Sequence, residues 1–347
     1  MRVFDGHNDV LLSLMESERG HGRSFFEASE HGHLDLPRAR EGGFAGGFFA
    51  VFVPGPKDAA PYRITIEGGV ELDMPSPITS ERAVTRANVL AGLLHRLAAE
   101  SEGGFEVVRT VGDIERCFES ETVAAILHFE GAEPLDPGLD SLPLFYEAGL
   151  RSLGIVWSRR NAFGHGVPFR CPQSPDVGPG LTDAGCALVG ACNELGILID
   201  LAHLNARGFW DVAERSNAPL VVTHACAHAL CPSARNLTDD QLDAVAQSGG
   251  VVGVNFYVGD LREDGRCDPE TPIRQIVHHI DYMVERMGID HVAFGSDFDG
   301  ATMPSELGDV TGLPKLIAEL RDVGYRDDTI EKLAHANWLR VLDRTWQ

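Results

Sequence analysis

The sequence lacks any long apolar run: no stretch of its 347 residues approaches the roughly 20 residues that a helix needs to cross a bilayer. The first residues, MRVFDGH, also lack the apolar segment of a secretory signal. Basic residues are scarce, because 29 lysines and arginines face 52 aspartates and glutamates and give a formal net charge of −23. This charge argues against nucleic acid or an anionic membrane surface as a partner.

Paired cysteines are lacking as well. The seven cysteines include no CxxC pair, and their odd number does not suit a framework of disulfides. We interpret them as small buried side chains in a reducing compartment, and we expect a cytoplasmic protein. The apolar fraction of 44% is that of an ordinary globular chain, so a sizeable core is available.

The fold class follows from short apolar runs that alternate with segments of helical period, a pattern typical of a parallel sheet covered by helices. Eight such runs lie at residues 2–9, 46–53, 123–130, 151–158, 197–204, 219–225, 250–257 and 291–297. They predict an α/β protein with a (β/α)₈ TIM barrel, a fold that commonly reaches this length as one domain. We therefore expect residues 1–347 to form a single catalytic barrel.

Three further segments complete the predicted barrel. An amphipathic helix over residues 326–344 is expected to close the barrel wall. The connections 54–77 and 159–180 are longer than a bare barrel requires, and loops of this kind usually shape the rim of the active site.

Polar or aromatic side chains stand at the predicted carboxyl ends of most of these strands. They are His7, Asp9, Glu130, Trp157, His203, His224, Tyr257 and Asp297. In barrels of this kind the carboxyl ends of the strands form the catalytic face. Their coincidence at one face indicates a functional site.

Five of these side chains suit metal ions. His7 and Asp9 are two residues apart in a strand, so both point into the barrel mouth and can bind one ion. His203 and His224 end consecutive strands and form a natural pair for a second ion. Glu130 ends a long apolar run, where a carboxylate is costly unless it is metal-bound or paired with an arginine.

Two neighbouring side chains are predicted to play lesser roles. His128 is expected to face the surrounding helices as a core histidine. Asp200 is expected to orient a ligand from behind. Some barrel metallohydrolases bridge their metals with a modified lysine, but Lys57, Lys315 and Lys332 end no predicted strand. Glu130 is therefore the predicted bridge.

With these residues placed, the sequence resembles the membrane (renal) dipeptidase family of zinc peptidases. The matching segments are DGHND (5–9), EG (130–131), IDLAH (199–203), TH (223–224), SARN (233–236), VNFY (254–257) and GSDFDG (295–300). They follow the family's order from residue 5 to residue 300, so the resemblance spans most of the chain. It implies two zinc ions, one on His7 and Asp9 and one on His203 and His224, with Glu130 between them.

The resemblance also implies roles in substrate binding and catalysis. Arg235 would bind the terminal carboxylate of a dipeptide through the fixed donors of its guanidinium group. Asp297 would transfer a proton from the attacking water to the departing amine. Tyr257 would lie near the substrate, although a packing role suits it equally well, and Asp299 is expected to be a structural turn residue.

One departure from the family is visible at the end of the fourth predicted strand. Family members of the membrane type have a histidine there that is thought to polarise the scissile carbonyl, and this chain has Trp157. Either a metal ion polarises the carbonyl alone, or His165 reaches in from the following loop as a catalytic residue. The sequence leaves both open.

We therefore predict a zinc dipeptidase that acts on small-molecule dipeptides, including those with a D-residue at the C-terminus. One alternative is a barrel hydrolase that opens lactones or other non-peptide bonds, since fold does not fix function. Another is a metal-stabilised binding protein without catalysis, which the missing histidine favours. Whether the chain is a monomer or a homodimer stays open.

Overall fold

The structure is a computed structural model that describes residues 1–55, 63–66, 69–72 and 74–346. Within these residues the strands are β1 (Val3–Asn8), β2 (Phe44–Phe52), β3 (Arg63–Ile66), β4 (Gly69–Leu72), β5 (Phe105–Val107), β6 (Val123–Glu130), β7 (Leu150–Gly154), β8 (Arg170–Cys171), β9 (Leu198–Asp200), β10 (Val221–Ala225), β11 (Val251–Val254) and β12 (Val292–Phe294). Eight of them lie side by side and parallel in the order β1, β2, β6, β7, β9, β10, β11, β12.

The ring closes between the end of β1 and the segment that follows β12. The Asp9 N–H donates to the Phe298 carbonyl at 2.8 Å, and the Asp297 N–H donates to the His7 carbonyl at 3.0 Å. Asn8 and Phe298 form an isolated parallel bridge there. The result is a nearly closed barrel of eight parallel strands, which confirms the predicted fold class.

Helices cover the outside of the barrel. In the described part of the chain they are α1 (Val10–Met15), α2 (Ser17–Gly20), α3 (Leu36–Gly42), α4 (Ser80–Glu100), α5 (Val111–Ser120), α6 (Leu142–Glu147), α7 (Asp183–Leu195), α8 (Ala206–Arg215), α9 (Asp239–Ser248), α10 (Val258–Leu261), α11 (Arg274–Met287), α12 (Leu313–Asp322), α13 (Asp327–Glu331) and α14 (Asn337–Thr345). Short 3₁₀ turns lie at Ile289–His291 and Val310–Gly312, and a π-helical turn lies at Lys332–Ala336.

Local sequence explains where several helices begin and end. The Thr182 hydroxyl accepts from the Gly185 N–H at 3.1 Å and begins α7, which ends at Gly196 in a left-handed conformation that suits glycine. Thr238 and Gln241 form a capping box at the start of α9. Of the helices in the described residues, none combines the length and the apolar character that a membrane crossing requires.

The core has two layers, because parallel strands are buried on both faces. An inner layer fills the barrel and includes Phe4, Phe48, Ile126, Leu198, Val221, Val251, Ala293 and Trp338. An outer layer packs the alternate strand residues against the helices. Polar ligand-type side chains therefore have one place to gather, above the inner layer at the carboxyl ends of the strands.

The predicted C-terminal helix closes a different part of the barrel from the one expected. We placed residues 326–344 along the wall, but α14 crosses the amino ends of the strands. Arg340 donates to the carbonyls of Gly249 and Asp290, both at 2.6 Å, just before β11 and β12. Trp338 enters the inner layer and donates to the Phe294 carbonyl at 3.0 Å. The hydrophobic period indicated a buried face and could not indicate which surface it covers.

Several strands end earlier than predicted. The apolar runs 151–158, 197–204 and 250–257 continue past β7, β9 and β11, which end at Gly154, Asp200 and Val254. His203 and Asp297 both have φ of 64°, in the left-handed region, so the chain turns there instead of extending the ladder. The two long connections also contain strands, since β4 pairs with β8 and joins one loop to the other.

Candidate metal centre

His7 and Asp9 lie at the end of β1, at the mouth of the barrel, as predicted. The His7 Nε2 atom is 3.4 Å from Asp9 Oδ2 and 3.7 Å from Glu130 Oε2. Both ring nitrogens of His7 and the Oδ1 atom of Asp9 are buried and have no hydrogen-bond partner in the described chain. Buried polar atoms without partners are costly, so these atoms are arranged for a ligand that would satisfy them.

Glu130 lies between the two predicted pairs. Its Oε2 atom faces His7, whereas its Oε1 atom is 3.0 Å from His203 Nε2 and 3.9 Å from His224 Nε2. The side chain is 5% exposed. A carboxylate placed in this way can offer one oxygen to each of two cations.

Hydroxyl groups behind His203 and His224 fix the orientation of the two rings. Ser158 Oγ is 2.8 Å from His203 Nδ1, and Thr223 Oγ1 is 2.9 Å from His224 Nδ1. The Thr223 hydroxyl donates its proton to Asp200 Oδ2 at 2.7 Å, so it accepts from His224 Nδ1. The lone pair of His224 Nε2 therefore points into the site, where a cation can use it.

Replacing Thr223 by valine is expected to weaken metal binding about 10- to 100-fold, since it removes the acceptor that holds His224 and the hydroxyl that donates to Asp200 Oδ2. Metal affinity would be measured by competition with a chromogenic chelator. Replacement by serine keeps the hydroxyl and is expected to bind metal nearly as the parent does. Equal affinity in the valine and serine variants would contradict this role for Thr223.

The charges of the site favour a cation. Burial raises the pKa of Glu130 well above its usual value, and the charges of Asp9 and Asp297 add to the effect. Burial also raises the pKa of Asp297 to about 7. Burial alone would lower the pKa of His7, but the charges of Glu130 and Asp9 outweigh it and raise this pKa to about 10. Three carboxylates thus crowd one imidazole, and bound cations would relieve their repulsion.

The donor set fits divalent metal ions of the zinc type. Ligand atoms of His7, Glu130 and His224 all lie within 4.8 Å of one another, and so do those of His7, Asp9 and Asp297. Neutral imidazoles combined with carboxylates suit zinc and similar ions. Burial lowers the pKa of His224 well below its usual value, so this ring is neutral and able to bind a metal.

Asp297 joins the site from the segment after β12. Its Oδ2 atom accepts from Asn255 Nδ2 at 3.2 Å. Gly300 leaves the space that this arrangement needs, because a Cβ atom there would lie 2.2 Å from Asp9 Oδ2 and 2.3 Å from Asp297 Oδ1. Sequence reasoning did not single out Asn255 or Gly300 individually, although both lie in the segments VNFY and GSDFDG.

Asp299 is held away from the site by structural contacts. Its Oδ2 atom accepts from Arg23 Nη2 at 2.8 Å, and its Oδ1 atom accepts from the His33 N–H at 2.7 Å. This agrees with the structural role predicted for Asp299. The two aspartates of the segment GSDFDG thus have different surroundings, two residues apart.

Arg235 reaches the metal centre from the loop after β10. The side chain is buried, and its Nη2 atom donates to the His224 carbonyl at 3.2 Å. Its Nε atom has no hydrogen-bond partner in the described chain. The positive charge of its guanidinium group lowers the pKa of Glu130, whereas burial raises it. Tyr257 caps the start of α10, and its N–H donates to Asn255 Oδ1 at 2.7 Å.

Trp157 and His165 follow β7. The Trp157 ring lies 5.7 Å from the His203 ring and 4.8 Å from that of Phe52. The His165 ring makes no hydrogen bond or ion pair with any described residue, and the His165 carbonyl accepts from the Asn205 N–H at 3.2 Å. The catalytic role of His165 therefore stays a prediction.

The prediction for His128 was wrong. Its ring lies inside the barrel, 5.6 Å from the His7 ring, with Nδ1 2.9 Å from Ser152 Oγ and Nε2 3.6 Å from Asp200 Oδ2. The reason is simple, because residues two apart in a strand share a face and His128 shares that of Glu130. Lys57 lies outside the described residues.

Comparisons with known proteins agree with this geometry. The whole chain, residues 1–347, matches the sequence profile of the family described as membrane dipeptidase (peptidase family M19). A Klebsiella pneumoniae protein described as an uncharacterized protein in the pqqA 5′ region is 52% identical over 255 residues, 74% of this chain and 94% of that protein.

Solved structures give the same picture. A Rhodobacter sphaeroides metallopeptidase, crystallised with a phosphinate mimic of the dipeptide L-Ala-D-Ala, is 48% identical, with a TM-score of 0.94 over 100% of this chain and 99% of that chain. The probable dipeptidase PvdM from Pseudomonas aeruginosa shares the fold at 23% identity, with a TM-score of 0.83 over 100% of this chain and 96% of that chain.

Proposed function

This chain belongs to the membrane dipeptidase family and is a metal-dependent dipeptidase, and from that premise we propose that two zinc ions serve its reaction at the mouth of the barrel. His7 and Asp9 would hold one ion, and Glu130 would bridge to the other. His203 and His224 would complete the second ion's ligands. The proposal rests on the position of Glu130, whose two oxygens face different histidines at 3.0 and 3.7 Å.

The bound ions would supply Lewis acidity, which lowers the pKa of a shared water to roughly 7 and makes a nucleophile available at neutral pH. The protein's own contribution to proton transfer is Asp297. Its carboxyl group lies at the metal centre beside His7 and Asp9, where it could take a proton from the attacking water and pass it to the departing amine. Asn255 holds one oxygen of Asp297 in place and leaves the other free for the transfer.

Arg235 would restrict the substrate to dipeptides. Its partly unpaired guanidinium group, buried beside the metal centre, can bind the C-terminal carboxylate of a short peptide in a fixed geometry. A longer peptide would extend past this group and leave its charge without a partner, which is costly in a buried position. The related Rhodobacter sphaeroides enzyme accommodates a mimic of L-Ala-D-Ala. We infer that this chain also accepts a D-residue at the C-terminal position.

The whole chain would act as one catalytic domain in the cytoplasm, with no nucleic acid partner. Trp157 replaces the family histidine, so polarisation of the scissile carbonyl would fall to a metal ion or to His165. Tyr257 would contact the substrate beside Arg235.

Hydrolysis of L-Ala-D-Ala is expected to disappear when the metal is removed by a chelator and to return with about two zinc ions per chain. The α-amino group that hydrolysis frees on the C-terminal residue would be measured for L-Ala-D-Ala, L-Ala-L-Ala and L-Ala-D-Ala amide. The amide lacks the carboxylate that Arg235 would bind, so its kcat/KM is expected to be about a hundredfold lower. Full activity in the metal-free protein would end the proposal.

A further inference from the structure

Asp5 is a buried carboxylate that has no role in the reaction described so far. It lies on β1, two residues before His7. Both of its oxygens accept from one residue, since Oδ1 accepts from the Ser296 N–H at 2.6 Å and Oδ2 accepts from the Ser296 hydroxyl at 2.8 Å. Burying a carboxylate is costly unless it is hydrogen-bonded. Here both oxygens serve to fix a single residue, which follows β12.

Ser296 fixes the backbone on both sides of Asp297. Its hydroxyl donates to Asp5 and accepts from the Phe298 N–H at 3.1 Å. The residue between, Asp297, has φ of 64°, a left-handed conformation that is unfavourable for a residue other than glycine unless its surroundings hold it. The Asp297 N–H donates to the His7 carbonyl at 3.0 Å. The conformation of Asp297 is therefore held at the residue before it, at its own N–H and at the residue after it.

This backbone conformation sets where the Asp297 carboxyl group points. The side chain is held by a longer hydrogen bond, from Asn255 Nδ2 to its Oδ2 atom at 3.2 Å. A carboxylate oxygen of Asp297 lies within 4.8 Å of ligand atoms of His7 and Asp9. A change in the backbone at Asp297 would move this oxygen relative to the attacking water. Small displacements of a reacting group lower a rate strongly.

An alternative is that the same contacts only close the barrel or orient His7. Ser296 Oγ lies 3.2 Å from the His7 carbonyl, so it also touches the strand that carries two predicted metal ligands. A role through His7 would be seen as loss of metal, and a role in closing the barrel would be seen as loss of stability. Neither role depends on whether residue 297 can carry a proton, and this difference separates them from a role through Asp297.

We propose that Asp5 and Ser296 are positioning residues for hydrolysis, which hold the backbone of Asp297 so that its carboxyl group is directed at the attacking water. Both residues are buried, and they act through Asp297. The inference rests on the proposed function, because it takes Asp297 as the group that transfers the proton.

The test is a double-mutant cycle on the zinc-loaded enzyme with L-Ala-D-Ala. Ser296→Ala removes the hydroxyl, and Asp5→Asn leaves one acceptor for the two donors of Ser296. Each is expected to lower kcat about tenfold, with KM and metal content unchanged. In the Asp297→Asn background no proton carrier is left to misplace, so the same substitutions are expected to lower kcat less than about twofold. Ser305→Ala, at an exposed position, is the matched control and should leave kcat unchanged in both backgrounds.

The outcomes separate this inference from the proposed function. An equal loss of kcat in both backgrounds, a loss of metal in the single variants, or an unchanged kcat in them would each overturn the inference and leave the dipeptidase proposal standing. If Asp297→Asn alone kept the kcat of the parent, the proton transfer assigned to Asp297 would be wrong, and the inference with it. Thermal unfolding followed by circular dichroism would show that each variant is folded, and Asp5→Asn provides the same test if Ser296→Ala does not fold.

Discussion

Replacing Glu130 by glutamine is expected to reduce kcat/KM at least about a thousandfold and to lower the metal content of the purified chain. Glu130 lies within 4 Å of His7, His203 and His224, and no other described carboxylate is placed between the two histidine groups. An amide offers one neutral oxygen where the carboxylate offers two charged ones. Metal would be counted per chain by elemental analysis, alongside steady-state kinetics.

The control for this variant is a glutamate at the surface. Glu147 ends α6 and is exposed, so Glu147→Gln makes the same chemical change far from the barrel mouth and should alter neither metal content nor rate. If Glu130→Gln retained two ions per chain and full activity, the bridging role of Glu130 would have to be abandoned.

Replacing Asp297 by asparagine is expected to leave the metal content intact and to lower kcat about 10²- to 10⁴-fold, the usual contribution of a general acid or base. Asparagine keeps the size of the side chain, and its amide can still pair with Asn255 after rotation. It cannot carry the proton, because an amide does not take up and release a proton as a carboxyl group does. Single-turnover kinetics on L-Ala-D-Ala would separate this chemical step from product release.

Asp299 provides a close control, two residues further along. Asp299→Asn leaves Arg23 without its carboxylate partner in a buried position, so it should lower the free energy of unfolding by about 3 kcal/mol. The rate of the folded enzyme should change little. Equal losses of kcat in the two variants would contradict the assignment of proton transfer to Asp297.

The barrel could be predicted because parallel strands buried on both faces leave long apolar runs in the sequence. The same reason explains the errors at strand ends. The run 197–204 stays mostly apolar as far as Leu204, but the ladder stops at Asp200 and His203 turns in the left-handed conformation. A hydrophobic run indicates that residues are buried, and residues in the turns after the strands are buried as well. The run therefore extends past the end of the strand. The strand β5 was missed because Glu106 interrupts its three residues and no longer apolar run surrounds them.

The five predicted ligands lie together in the structure. They could be predicted because each one interrupts an apolar run with a group that is costly to bury alone. The groups that hold these ligands gave a weaker signal. Ser158, Thr223 and Asn255 are small polar residues of a kind found in many strands and turns, and their contacts become visible only when the strands are side by side. The strand β8 was missed for a related reason, since it lies within a long loop and its pairing with β4 follows no local pattern.

The join between β1 and the segment after β12 also bears on the stability of the folded chain, apart from catalysis. The backbone there is held by a few hydrogen bonds of His7, Asp9 and Asp297, the same residues whose side chains converge on one possible ion. An ion held by His7 and Asp9 would also attract the nearby Asp297 carboxylate and so draw the first strand of the ring towards the last. Because a ligand that binds only the folded chain stabilises it more as its concentration rises, scarcity of metal would lower the free energy of unfolding as well as the activity.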